Sequence, residues 1–315
     1  MNSPLILGVL LASAATTIAT VLGWVMAAAA WHLLRRRSLT EYDARLLVWA
    51  RLLPLVSVVL LVPAQISAFI RYEAGLVESA GPLLLGLAVP GLVWALDALG
   101  SGMTVWLQTC VAVSRWQREG RPLAFDGWPY AAWVIVSSFP IAGVTGFLRP
   151  RLFIDRRIVH ACTDAELAAI LAHEAEHVAR RDYLIQLLFY FTPGARGFRR
   201  LASPIEAAWK HACEEAADRA AVRKGLRLAL ATALVKLAGL VVAGAPESIA
   251  ASTLIDAPDL KTRISRVLLS RPTTERRLRR AWLVPAALVA AGLILQSAPL
   301  SARLHELFEL LVRHG

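Results

Sequence analysis

Three cysteines in 315 residues, Cys110, Cys162 and Cys213, are too few for a disulfide scaffold, and none forms a Cys-x-x-Cys pair for redox or thiolate–metal chemistry. Charge is scarce too. Asp, Glu, Lys and Arg make up 18% of the chain, against about 25% in soluble domains. The acidic sign is the scarcer one, 23 residues against 34 basic, for a net charge of +11. No nucleic-acid-binding motif accompanies that excess, so a direct nucleic-acid partner is not expected. In place of charge there is apolar surface: 57% of residues are hydrophobic and the mean hydropathy is +0.54. Soluble domains are typically about 45–50% apolar.

The apolar residues lie in long runs, the pattern of membrane spans. The first is Pro4 to Leu34, closed by Arg35, Arg36 and Arg37. It lacks the form of a signal peptide, because its apolar part is far longer than about 15 residues and its charges follow it. The second is about Val48 to Ile70, with Pro54 and Pro63 inside. The third, about Pro82 to Val113, exceeds the ~20 residues a span needs, so it is either tilted or broken near Gly100-Ser101-Gly102. The fourth is about Ala281 to Ala298. A carboxylate, Asp97, falls in the third run; it is either a functional intramembrane group or a residue near the outer surface.

Arginines orient the spans. They cluster at Arg35 to Arg37, Arg45 and Arg51, at Arg115, Arg118 and Arg121, and at Arg271, Arg276, Arg277, Arg279 and Arg280. The loop between the second and third runs has only Arg71, beside Glu73 and Glu78. The positive-inside rule then places both termini outside and residues 114–280 in the cytoplasm, with the lipid bilayer as the partner of the arginine clusters. The expected organisation is a membrane region over 1–113 with three transmembrane helices, a cytoplasmic domain over 114–280, and a last span with a short tail over 281–315.

The start of the insert reads as a small sheet. The strand candidates are Trp133 to Ser138, Phe139 to Leu148 and Leu152 to Val159, the last two flanking the turn signal Arg149-Pro150-Arg151. The pattern then turns helical. Thr163 and Glu166 form a capping box, and Leu167, Ile170, Leu171, Glu174, His177 and Val178 recur at helical spacing. A helix of roughly twenty residues therefore carries LAHEAEHVARRDYL, Leu171 to Leu184. A second helix, Pro204 to Arg223, carries HACEEAAD. A third apolar run, Leu226 to Ala245, is read as a buried or membrane-touching helix. Were it a fifth span, it would reverse the sides and break the charge agreement.

On a helix, residues four apart share a face, so His173 and His177 can aim ring nitrogens at one zinc ion. Glu174 lies about 100° round the helix, where it reaches a water beside that ion and not the ion itself, as a general base requires. A third protein ligand is needed, and HACEEAAD supplies His211, Glu214, Glu215 and Asp218 as candidates. If Glu214 binds the metal, Asp218 lies one turn on and can accept the free N–H of a ligand histidine. A merely solvated helix face, with Glu174 or Glu176 paired to Arg180 or Arg181, leaves the carboxylates of the second helix unexplained. Asp182 reads as a local ion pair beside Arg181 or a cap for the next helix.

The order of elements resembles the BlaR/MecR family of integral-membrane zinc peptidases. Spans are followed by GFLRPRLFI, TDAELAAILAHEAEHVARRD, FTPG, HACEEAAD and DLKTRISRVLL before a last span. The resemblance covers about residues 125 to 270. The HtpX-type membrane peptidases are similar at a greater distance; both families are gluzincins. The resemblance implies an α-helical membrane protein with an inserted α+β gluzincin domain, made of a small sheet plus the HExxH helix. It implies one Zn2+ per chain held by His173, His177 and Glu214, with Glu174 as the catalytic residue and Asp218 behind the ligands. It also implies an edge strand within Phe139 to Phe147 that takes substrate as an added strand. The BlaR/MecR receptors carry an extracellular penicillin-binding sensor after the last span, whereas only Pro299 to Gly315 stand there in this sequence. The expected activity is therefore a membrane-embedded zinc endopeptidase acting on a cytoplasmic protein. A transcriptional repressor is one candidate substrate, and a separate protein could supply the sensor. The expected location is a bacterial-type cytoplasmic membrane, crossed several times. The alternatives are an HtpX-like quality-control protease and a non-catalytic signalling or scaffold protein with a relict zinc site.

Overall fold

The computed structural model describes residues 4–36, 41–72, 81–137, 140–147, 149–240 and 260–269, together with Arg303 and Glu306. The fourth apolar run, Ala281 to Ala298, lies outside the described residues. The chain divides into two compact units: Met1–Ser101, Phe189–Glu206 and Arg277–Gly315 in one, Gly102–Leu188 and Ala207–Arg276 in the other.

The first three apolar runs form helices α1 (Pro4–Leu34), α2 (Glu41–Tyr72) and α3 (Pro82–Glu119), each long and apolar enough to cross a membrane. α3 continues unbroken through Gly100-Ser101-Gly102, so of the two alternatives raised for the third run the break is not taken. In the first unit the helices approach closely at small residues. A Cβ on Gly23 would land on the backbone of Pro54, and one on Gly91 would land on the carbonyl of Ser13. Such contacts suit packing in lipid, where close approach replaces the hydrophobic effect. Thr17 Oγ1 also donates to the Leu87 carbonyl at 2.6 Å. The segment after Phe189 belongs to this unit. Trp24 Nε1 donates to the Pro193 carbonyl at 3.0 Å, and buried Arg51 lies between the Trp24 and Phe189 rings while pairing with Glu206 at 2.5 Å. Asp97 of the third apolar run pairs with Arg196, a cationic partner.

The second unit holds a four-stranded sheet of β1 (Arg121–Pro122), β2 (Ala132–Ile135), β3 (Ala142–Thr145) and β4 (Arg151–Asp155), in the order β1-β2-β4-β3. β2 runs parallel to β4 and β3 antiparallel to it, which leaves β3 at an edge. The strand expected over Leu152 to Val159 stops at Asp155. Its carboxylate accepts from the Arg157 amide and caps α4 (Arg156–Ala161), so the second half of that run is helical.

The remaining helices are α5 (Asp164–Arg180), α6 (Asp182–Tyr190), α7 (Arg199–Arg223), α8 (Arg227–Leu240) and α9 (Leu260–Leu269). α8 occupies the described part of the run that raised the fifth-span question. Its Leu230, Leu234 and Leu237 are buried in a core shared with Ile154, Ile158 and Ile170. The residues after Leu240 in that run lie outside the described residues.

α5 begins with the expected capping box. Glu166 Oε2 accepts from the Thr163 amide at 2.7 Å, and Thr163 Oγ1 accepts from the Glu166 amide at 3.4 Å. Lys236 of α8 donates to the same Glu166 oxygen at 2.6 Å. Burial opposes charge on Glu166, but Lys236 and the Thr163 amide outweigh it and hold the carboxyl down at about 2. A depressed carboxylate stabilises the fold above its unfolded pKa of ~4.3, and the stabilisation is lost as pH falls towards about 2. Glu166→Gln should therefore be less stable than the parent at neutral pH by ~1 kcal/mol, the worth of the ion pair with Lys236, since glutamine still completes the capping box. The gap should close between pH ~4.5 and ~2, read by tryptophan fluorescence in detergent. A gap that stays constant down to pH 2 would contradict the assignment.

Candidate metal centre

α5 ends because Arg181 adopts the left-handed conformation, with φ 57° and ψ 38°, its amide closing on the carbonyls of His177 and Val178. That single bend sets one side of the site. It returns Asp182, the first residue of α6, to the face of the helix it has just left. Asp182 Oδ2 accepts from His177 Nδ1 at 2.8 Å, and Arg180 Nε stands 3.4 Å from the other oxygen. Helical spacing alone places a fifth-following residue elsewhere, which is why the sequence suggested only a local ion pair with Arg181 or a cap. A local ion pair is present, with Arg180 in place of Arg181, and beyond it Asp182, 4% exposed, accepts from His177.

The opposite side comes from α7. Asp218 Oδ1 accepts from His173 Nδ1 at 3.0 Å, and Glu214, one turn earlier on the same face, approaches both histidines. Its oxygens stand 3.5 Å from His173 Nε2 and 3.7 Å from His177 Nε2. Of the four candidates for a third ligand, the structure thus brings Glu214 to the histidines and Asp218 behind them. His211 and Glu215 go elsewhere. His211 is largely exposed and lies 3.9 Å from Glu215, which is itself held by Arg266 at 2.6 Å.

The arrangement fits a cation. With a carboxylate on each Nδ1, the ring hydrogens belong on Nδ1 and both Nε2 atoms carry lone pairs. Those two atoms face each other at 3.1 Å, and one ligand atom from each of His173, His177 and Glu214 lies within 4.8 Å of the others. Facing lone pairs repel unless positive charge is shared between them. Burial opposes charge on His173, yet Asp218 and Glu214 outweigh it and raise its pKa to about 9. Burial likewise opposes charge on Glu214, but His173 and Arg263 hold its carboxyl down at about 2. Two imidazoles and a carboxylate are donors suited to zinc.

Glu174 is fully buried beside this cluster. Its Oε2 accepts from the Val144 amide of β3 at 3.1 Å, while its Oε1 is buried with no hydrogen-bond partner among the described residues. Burial pushes its carboxyl up to about 7, with Glu214 adding to the effect against the pull of the histidines. A carboxyl poised near 7 with one free oxygen is suited to take up and release a proton. One more group was not found from sequence. Arg263 of α9, 4% exposed, pairs with both Asp218 and Glu214. Its signal was the run DLKTRISRVLL, which carries part of the resemblance but to which no site role was given.

A histidine pair and a glutamate on two helices, with a buried carboxyl beside them and a small sheet at the side, define a metallopeptidase type of site. Residues 135–267 match the family model of the BlaR1 peptidase, M56, so the resemblance to the BlaR/MecR-type membrane peptidases drawn from the sequence is borne out over this segment. That family is one of metallopeptidases, and the three apolar helices agree with membrane association. No curated protein matches the chain.

Proposed function

We propose that the chain is a zinc-dependent endopeptidase that cleaves a protein at the cytoplasmic face of a bacterial-type cytoplasmic membrane. The observation that carries the reading is the convergence of His173 Nε2, His177 Nε2 and Glu214 beside a buried Glu174 with one unbonded oxygen. His173, His177 and Glu214 are the groups that would hold zinc. Bound there, zinc supplies Lewis acidity towards a peptide carbonyl and a lowered pKa for water. The chain's own residues do the rest. Asp218 and Asp182 fix the ring orientations and tautomers of the two histidines. Glu174 takes the proton of the attacking water on Oε1 and returns it to the leaving amine. Its Oε2 is held by the Val144 amide, so the base is aimed by an edge strand. That strand, β3, is an edge strand of the sheet, the kind of element along which a protein substrate pairs as an added strand. A relict scaffold would have no use for an intact, buried Glu174.

The purified chain in detergent should cleave an unfolded protein substrate. o-Phenanthroline should abolish the cleavage and added zinc restore it. Cleavage that survives full chelation would overturn the metal-dependent reading. The sidedness has its own test, motivated by the arginine distribution. Reporter fusions near Glu119 should read cytoplasmic, and fusions at Glu78 and Gly315 exterior. A cytoplasmic reading at both Glu119 and Gly315 would reject this layout and point to Leu226 to Ala245 as an additional crossing.

A further inference from the structure

Glu214 and Asp218 sit four residues apart on one face of α7, both turned to the histidines. Like charges at that spacing repel, and here both carboxylates are largely removed from water. Arg263 answers both. Its Nε and Nη2 take the two oxygens of Asp218 at 2.8 and 2.6 Å, and its Nη1 stands 2.9 Å from Glu214 Oε2. A planar guanidinium can span two carboxylates in this way, whereas an ammonium is a point charge. Both Glu214 oxygens also face the histidines, Oε2 at 3.5 Å from His173 Nε2 and Oε1 at 3.7 Å from His177 Nε2. The opposite side of the site has a looser counterpart in Arg180, 3.4 Å from Asp182 behind His177.

We propose that Arg263 is a positioning residue that fixes Glu214 and Asp218 in the metal-holding arrangement. The proposal rests on the reading that His173, His177 and Glu214 bind the metal. Arg263 touches no substrate; it acts through the two carboxylates. Without it the buried pair is one cation short, and burying carboxylates without a partner is strongly unfavourable. Glu214 then turns towards water, and the metal is held by two histidines and an uncertain third group.

The test uses the full chain in detergent, loaded with cobalt(II), as wild type, Arg263→Met and Arg263→Lys. Two readouts apply: the visible absorption of the bound cobalt, and the rate at which a competing chelator removes it. In Arg263→Met, removal should be ~10- to 100-fold faster, the usual effect of losing a group that orients metal ligands, and the cobalt bands should shift. Arg263→Lys keeps the charge without the fork and should fall between the two. If Arg263→Met does not fold, the lysine variant decides, because wild-type release and spectrum there would show that charge alone suffices and would overturn the proposal. A lower melting temperature with an unmoved cobalt spectrum in both variants would mark Arg263 as merely structural and also overturn it. Wild-type protein that takes up no cobalt would overturn the metal reading itself, a separable failure.

Discussion

Glu174→Gln should retain one metal ion per chain and lose peptide cleavage by ~10²- to 10⁴-fold, the range that a positioned general base contributes. The two effects separate because of what Glu174 touches. Its Oε2 is bound to the Val144 amide and its Oε1 has no hydrogen-bond partner among the described residues, while the cation-suited atoms belong to His173, His177 and Glu214. Glutamine preserves the shape and removes the basicity. With the carboxyl pushed up to about 7 by burial, a neutral amide is also an easy guest for that position, so the fold should not suffer. Metal analysis alongside cleavage of an unfolded substrate measures both. Cleavage at the parent rate in this variant would remove Glu174 from the chemistry.

The second large effect concerns the third ligand. Glu214→Ala should release the metal, whereas Glu215→Ala and His211→Ala should keep it. The sequence left these residues as alternatives because all sit on one helix within one turn. The structure separates them by partner: Glu214 faces both Nε2 atoms, and Glu215 is held by Arg266 with His211 beside it. Losing a direct ligand costs more than losing a group behind one, so Glu214→Ala should weaken binding well beyond the ~10- to 100-fold typical of orienting partners. Full metal content in Glu214→Ala, with loss in either of the other two, would move the site along α7.

Much of this was legible in sequence because it is local. The three long apolar helices follow from long apolar runs, and the start of α5 follows from Thr163 and Glu166, which recognise each other across one turn. The pairing of His173 with His177 is likewise a property of one helix. Other features depend on where the chain turns. Asp155 looked like the middle of a strand, and only its bond to the Arg157 amide shows that it ends one and starts a helix. Asp182 reaches His177 through the left-handed Arg181, a conformation that the residue type gives no reason to expect. Arg263 reaches the site by tertiary packing: its run, DLKTRISRVLL, was visible in the order of elements, but no local spacing relates α9 to α5.

X-ray absorption at the zinc edge of the purified full-length chain tests the central claim most directly. The account predicts one zinc per chain in a nitrogen and oxygen shell at ~2.0–2.2 Å, with scattering from two imidazoles and no sulfur. It also predicts that the signal disappears in His173→Ala. Zinc with a sulfur neighbour at ~2.3 Å, or an undiminished two-imidazole signal in His173→Ala, would contradict it.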